Sequence, residues 1–139
     1  MAFTKRRPGL VYPVTEDWHY VGSGGSAPAF NSTWANVSFA PKLAFRKRET
    51  GVLDIQGTVS GGTSTTVFTL PAGYRPSNNA GANVCGYMSG HGRVSVLVAV
   101  LTTGVVAVEA DPDDSGDTYP GVVHFGAMQF YLNSPTTAP

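Results

Sequence analysis

The chain of 139 residues has little charge, one cysteine and a formal net charge of zero. Asp, Glu, Lys and Arg make up 13% of it, about half of the share that is usual in soluble domains. Proteins that bind nucleic acids need a basic excess to displace counterions, so nine cationic and nine anionic residues disfavour a nucleic-acid partner. The length predicts one domain, which is large enough to enclose a single hydrophobic core.

The cysteine content and the absence of long apolar runs exclude several other features. One cysteine, Cys85, allows no intrachain disulfide. We expect Cys85 to be a small buried residue in a strand, because no Cys-His motif indicates a reactive thiol. No apolar run approaches the length of about 18 residues that predicts membrane insertion. The basic run 5–7 is followed by Pro8 and Gly9 instead of an apolar segment, so no secretory signal is expected.

Helical periodicity is also missing, and from Trp34 onward apolar residues alternate with a period of two. In the segment 51–59, Leu53 and Ile55 share one face, and Asp54 and Gln56 share the other. We therefore expect a half-buried antiparallel strand with Asp54 on its solvent-exposed face. About eight strands at short spacing predict an all-β fold, an antiparallel β-sandwich of jelly-roll type.

The first 30 residues lack this alternation. Several prolines and the Gly-Ser string 22–26 predict an extended N-terminal arm over residues 1–30, followed by a sandwich domain over residues 31–139. Disordered tails are poor in aromatic residues, so aromatic side chains in the arm indicate that it docks. We expect these residues to attach the arm to sister chains or other proteins: Phe3, Tyr12, Trp18 and Tyr20.

The segment 93–101 is apolar on both faces. Alternate valines (94–100) line one face, and Leu97, Ala99 and Leu101 line the other. Because a strand of a lone sandwich has one wet face, such a strand needs a second cover, either the arm or another copy of the chain. Leaving half of a roughly 600 Å² face wet would forfeit about 7 kcal/mol at about 25 cal/mol/Å². That loss is comparable with the stability of a whole domain, which favours a homo-oligomer.

A proline-bounded turn ends the β-favouring stretch at Leu70, in the run FTLPAGYRP of residues 68–76. This run, the pattern of Trp, Val-Gly, Pro-Ala-Phe and Trp-Ala-Asn over residues 18–36, and the run QGTV of residues 56–59 resemble a module of phage tail-fibre and receptor-binding proteins. The likeness extends from about Trp18 to Tyr131. It implies a virion protein that is made in the host cytoplasm, binds a host-surface component, with a saccharide expected, and assembles as a homo-oligomer, usually a trimer.

The resemblance also implies that the arm holds other virion proteins and that loops at one end of the domain meet the host. We expect these loops to be residues 77–81, 89–92 and 111–121. The loop 111–117 partly imitates a calcium site, but Val122 stands where a glutamate is required, so a solvated loop is favoured and no metal is predicted. The candidate receptor-binding residues in these loops are Asn78, Asn79, His91, Asp111, Asp113, Asp114, Asp117 and Tyr119.

No motif predicts catalysis, a cofactor or a metal centre. The chain has no GxSxG and no HExxH sequence, and His19, His91 and His124 stand at no metal-binding spacing. His124 is expected to be a core residue on a strand, with its polar atoms satisfied. We therefore predict a non-catalytic binding protein. A second hypothesis is a capsid or tail decoration protein in which the arm is the functional part, and a depolymerase is the least favoured hypothesis.

Overall fold

The computed structural model describes residues 15–88, 92–110 and 121–132, and within these ranges it contains nine β-strands and no helix. Every strand pairing is antiparallel, which confirms the predicted all-β class. The strands are β1 (His19–Tyr20), β2 (Ala35–Asn36), β3 (Ala44–Lys47), β4 (Val52–Ser60), β5 (Thr66–Thr69), β6 (Ala80–Met88), β7 (Gly92–Val100), β8 (Val105–Ala110) and β9 (Val122–Tyr131).

All nine strands belong to one sheet, in the order β1-β3-β4-β9-β6-β7-β8-β5, with β2 paired to β4 beside this path. The sheet curls. Phe45 of β3 therefore stacks on Phe68 of β5, with ring centroids 5.9 Å apart, although these strands lie near opposite ends of the sheet order. The predicted sandwich of jelly-roll type is not confirmed, because the hydrogen-bonded path runs unbroken from β1 to β5.

The curl encloses one hydrophobic core. Leu53 and Ile55 of β4 are fully buried, as their alternation predicts. The valine face of β7 belongs to the same core, since Val96, Val98 and Val100 have no exposed surface. The sheet itself therefore covers these valines, and no second copy of the chain is needed for them.

The opposite face of β7 has no cover among the described residues. Leu97 is 45% exposed, and Ala99 beside it is half-buried. The alternative in which the arm covers this face is wrong for residues 15–30, because β1 of this segment pairs with β3 and no residue of the segment lines the shallow cleft beside Leu97. That a neighbouring copy of the chain covers Leu97 stays a prediction.

The described part of the arm, residues 15–30, is an integral edge of the sheet. His19 and Tyr20 form β1, which pairs with β3. Val21 is 1% exposed and its amide donates a hydrogen bond of 3.0 Å to the carbonyl of Leu43, while Phe30 packs against the core. Hydrogen bonds and apolar packing thus fix this segment, as docking requires.

A β-bulge between β4 and β9 keeps β9 facing the core along its whole length. Gly57 pairs with Gly126 and the next residue of β4 pairs with His124, so Phe125 has no partner on β4. The extra residue reverses the alternation, as bulges do. Odd-numbered residues of β9 are buried before the bulge, and even-numbered residues are buried after it.

Gly57 is the tightest backbone contact of this bulge. Its φ is +125°, and a Cβ there would lie 2.5 Å from the Cα of Leu43. Gly126, its partner, also has a positive φ of +64°, but a Cβ on Gly126 would meet no atom within 4 Å. An alanine at position 57 would therefore introduce both backbone strain and a steric clash, whereas an alanine at position 126 would introduce backbone strain alone.

We expect Gly57→Ala to lower the free energy of unfolding by about 3 kcal/mol, because strain and a backbone clash add. Gly126→Ala is the matched control and should cost about 1 kcal/mol, from strain alone. Urea unfolding followed by circular dichroism measures both. Equal losses in the two variants would contradict the close approach of β4 to residue 43.

Candidate functional site

The outer face of β1, β3, β4 and β9 bears a groove. Register places Tyr20, Ala44, Gln56 and Ala127 in one row across these four strands. The alanine side chains are too short to rise between the longer ones. Ala44 itself is fully buried, and two clefts open on this face. We call these two clefts together the outer-face groove.

Two clefts form this groove and meet at Gln56. One, of about 600 Å³, is lined by Tyr20, Asn36, Lys42 and Gln56 among others. The other, of about 210 Å³, is lined by the following residues: Trp18, Arg46, Arg48, Asp54, Ile55, Gln56, Ala127, Met128 and Gln129. Trp18 and Tyr20, predicted to attach the arm to partners, thus line the groove.

Tyr20 stands at the boundary between two clefts. Its side chain is 43% exposed, and together with Ser23 it lines both the larger cleft and a third cleft of about 410 Å³ on its other side. Phe39 is 80% exposed and directly precedes Ala40, which lines the larger cleft. Exposed aromatic rings beside a concave surface favour contact with a ligand over a role in folding.

The polar groups of the larger cleft are held so that donors remain available. The side-chain oxygen of Asn36 accepts a hydrogen bond of 2.8 Å from the backbone amide of Leu43. The side-chain nitrogen of Asn36 takes no part in that bond. Lys42 is exposed, and among the described residues it forms no ion pair. This cleft therefore offers an ammonium group and a carboxamide beside an aromatic ring.

The smaller cleft contains a buried carboxylate held by two arginines. Oδ2 of Asp54 accepts hydrogen bonds from Nε of Arg46 at 3.1 Å and from Nε of Arg48 at 2.7 Å. The guanidinium carbon of Arg46 lies 4.3 Å from the centroid of the Trp18 ring, a cation–π contact. The hydrogen bond and the charge of Asp54 raise the pKa of Arg48 above its ordinary value.

The expected solvent exposure of Asp54 is therefore wrong. The residue does lie on the outer face, as the alternation predicts, but it is 4% exposed because the arginine side chains cover it. Its second oxygen, Oδ1, is buried and has no hydrogen-bond partner in the described part of the chain. An unpartnered buried acceptor is rare enough in proteins to require an explanation.

A polar cluster joins the proline-bounded turn to β1, beside the third cleft. The Tyr74 hydroxyl donates to Oε2 of Glu16 at 2.7 Å, and Nε2 of His19 lies 2.6 Å from the same oxygen. Partial burial raises the pKa of Glu16, but hydrogen bonds from Tyr74 and His19 outweigh it, so the net pKa is lowered. Burial and the hydrogen bond to Glu16 raise the pKa of Tyr74 to about 12.

The raised pKa of Tyr74 predicts its own titration step. Because the folded pKa exceeds the ordinary value, the stabilising contact is complete below pH of about 10 and is lost as the pH rises through about 12. Absorbance at the phenolate band should show a step near 12 that Tyr74→Phe removes. Glu16→Gln is the control and should move this step toward the ordinary tyrosine value; an unchanged step would contradict the cluster.

The predicted receptor loops do not meet at one end of the domain. Asn78 and Asn79 precede β6, and the Asn79 side-chain oxygen accepts a bond of 3.0 Å from the amide of Thr102. Met88 and Gly92 flank the next loop at the other end of this nine-residue strand, about 27 Å away. The expectation of one shared end is therefore wrong. The remaining candidates lie outside the described residues: His91, Asp111, Asp113, Asp114, Asp117, Tyr119, and, in the arm, Phe3 and Tyr12.

Cys85 lies on β6 as predicted, but it is exposed, so the prediction of a buried residue is wrong. The alternation of side chains along β6 places Cys85 on the outer face, between Ser95 of β7 and His124 of β9. Nδ1 of His124 lies 3.1 Å from the Thr58 hydroxyl. The fold thus pairs Cys85 with His124, residues 39 positions apart in the sequence.

Comparisons of the chain with family models, with curated proteins and with solved structures found no match. Within the described ranges, no helical segment has the length and hydrophobicity of a membrane crossing. The same ranges contain no group of three His, Cys, Asp or Glu residues arranged to hold a metal ion. Functional inference therefore depends on the chemistry of the outer-face groove and on the sequence resemblance.

Proposed function

We propose that this chain is a phage virion protein that binds a host-surface saccharide through the outer-face groove, without catalysis. The observation on which the proposal depends is the position of Tyr20, a half-exposed ring at the junction of two clefts. A tyrosine ring offers an apolar surface for the C–H face of a sugar and a hydroxyl for hydrogen bonding. The resemblance to tail-fibre and receptor-binding modules supports the same function independently.

The polar lining of the groove supports recognition of hydroxyl groups. Asn36, Gln56 and Gln129 place carboxamides along it, and each carboxamide can both donate and accept hydrogen bonds. The Asp54 carboxylate is held by two guanidinium groups through one oxygen. A carboxylate fixed in this way suits an orienting role better than proton transfer, which supports binding over hydrolysis.

In this proposal, Trp18 and Tyr20 contact the ligand instead of attaching the arm. Attachment to other virion proteins is assigned to the beginning of the chain, where Phe3 and Tyr12 lie. Several copies on one particle would multiply a weak affinity through avidity. The proposed location is therefore the virion surface, on a tail fibre or baseplate.

We expect Tyr20→Ala to weaken binding of the full chain to a glycan array or to host cells about five- to tenfold, because the stacking platform is lost. Tyr87→Ala is the matched control, since Tyr87 is 49% exposed but lies on β6, away from the groove. Fluorescently labelled protein and a concentration series measure both variants.

Two outcomes would contradict the proposal in different ways. Equal binding by Tyr20→Ala and the unaltered protein would remove the groove as the site. Absence of any glycan or cell binding, with retained attachment to virus particles, would favour the decoration hypothesis, in which this domain is purely structural.

The proposal includes a homo-oligomer, with a trimer expected from the resemblance. Light scattering should give a mass of three chains of 14.5 kDa each. Replacing the exposed Leu97 by Asp should lower this mass if the uncovered face of β7 is the contact, because a carboxylate would be desolvated there. A monomeric mass for the unaltered chain would contradict the assembly.

A further inference from the structure

The outer-face groove is cationic, in a chain whose net charge is zero. The linings of its two clefts include three cations, Lys42, Arg46 and Arg48, and one carboxylate, Asp54. Three positive charges and one negative charge give these linings a formal charge of +2, and the nearby Glu49 carboxylate, which interacts with Arg46 and Arg48, reduces the local positive charge. Complementary charge on a ligand is therefore expected, since like or absent charge would leave these groups desolvated without compensation.

At one end of the groove, Lys42 has no counter-ion among the described residues. The only other charged groups of the groove are those of the arginine cleft, because the larger cleft is otherwise lined by neutral residues. Asn36 and Tyr20 line the same cleft as Lys42. An anionic substituent on a sugar that packs against Tyr20 would find both an ion-pair partner and a hydrogen-bond donor here.

At the other end, Asp54 orients two guanidinium groups without using up their donors. Only the Nε atoms of Arg46 and Arg48 bond to Asp54, so each guanidinium retains its two Nη groups. The Trp18 ring packs on Arg46 and further restricts its orientation. A pair of planar guanidinium groups held in place suits carboxylate or phosphate oxygens.

The two cationic ends are separated by a short stretch of β3. Lys42 and Arg46 lie four residues apart, a span of at most about 14 Å. Tyr20 and Gln56 lie between the ends and carry no charge. Along the groove, a single cation is followed by an uncharged stretch with an aromatic ring and an amide, and then by a pair of cations.

We propose that the outer-face groove selects an anionic saccharide, with one anionic group near Lys42 and a second near the Arg46–Arg48 pair. This inference depends on the proposed saccharide-binding function and names the ligand class of that same site. The anionic group can be a carboxylate of an acidic sugar or the phosphodiester of a sugar or polyol phosphate polymer. Both present oxygens that an ammonium or a guanidinium group binds.

Binding assays with the full chain and three defined probes test the inference. The anionic probes are an oligogalacturonate and a poly(glycerol phosphate), and the neutral probe is a malto-oligosaccharide. We expect at least one anionic probe to bind about tenfold more tightly than the neutral probe, with an affinity that falls between 0.05 and 0.5 M salt because salt screens charge. The preferred anionic probe distinguishes a carboxylate from a phosphate.

Lys42→Gln isolates the charge, since Lys42 is exposed and forms no ion pair within residues 15–88, 92–110 and 121–132. It should weaken binding of the preferred anionic probe about fivefold, the value of one exposed ion pair at the upper end of its range. Binding of the neutral probe should change less than about twofold. Arg93→Gln is the matched control: Arg93 is an exposed cation on β7, outside the groove, and its replacement should change neither affinity.

Several results would overturn the inference. They are equal or tighter binding of the neutral probe, no effect of Lys42→Gln, equal effects of Lys42→Gln and Arg93→Gln, or failure to bind either anionic probe. Tighter binding of a single-stranded oligonucleotide would overturn it as well. The proposed function has a separate test, because loss of cell binding in Tyr20→Ala would uphold saccharide binding even if the ligand proved to be neutral.

Discussion

The position of β4 between β3 and β9 is the constraint on which the rest of the structure depends. On its inner face, Leu53 and Ile55 are fully buried in the core. On its outer face, Asp54 and Gln56 line the groove. The same nine-residue strand therefore fixes both the hydrophobic core and the polar surface, and its register relates one to the other.

Two glycines pair at the bulge between β4 and β9, and Gly57 makes the close backbone contact there. Gly57 allows the backbone of residues 42–43 to approach closely, and this approach also brings Lys42 toward the groove. The extra residue on β9 then turns the end of that strand so that Met128 packs inward. Local backbone geometry, far from any charge, thus helps to place the cation at one end of the candidate site.

The charged groups of the smaller cleft are arranged around one buried carboxylate, that of Asp54. Asp54 would be a costly buried anion if it were alone, but two guanidinium groups compensate it. In return, the carboxylate fixes guanidinium groups that would otherwise be mobile on a surface. This reciprocal arrangement leaves unused donors at a concave surface, and the proposed binding function and the proposed preference for an anion are based on these donors.

Alternation of apolar residues was sufficient to predict the fold class and several strands. It placed Leu53, Ile55 and the valines of β7 on core faces, where the structure has them. It also placed Asp54 on the outer face, but alternation cannot tell whether an outer face is covered by long side chains of a neighbouring strand. The buried ion pair was missed for this reason, and Cys85 was expected to be buried because residue type was given more weight than strand phase.

The groove itself could not be predicted, because it combines residues from β1, β3, β4 and β9 whose pairing depends on register. Trp18 and Tyr20 were predicted to attach the arm to a partner, which stays a prediction, and the sequence offers no signal that Gln56 lies beside them. One sign was present in the sequence: Ala127 is a small residue at an outward position of β9, and it lines the smaller cleft.

The sequence alone determined that the chain is an all-β protein with low charge, because a period of two and the turn residues act locally. Only the tertiary structure decided that the strands form one curled sheet, that Asp54 is buried and that Cys85 meets His124, since each of these depends on which distant strands become neighbours. Lys42, Arg46 and Arg48 share one face because of their even spacing along a single segment of the chain. Their position beside Tyr20, Asp54 and Gln56 follows instead from the register of the sheet.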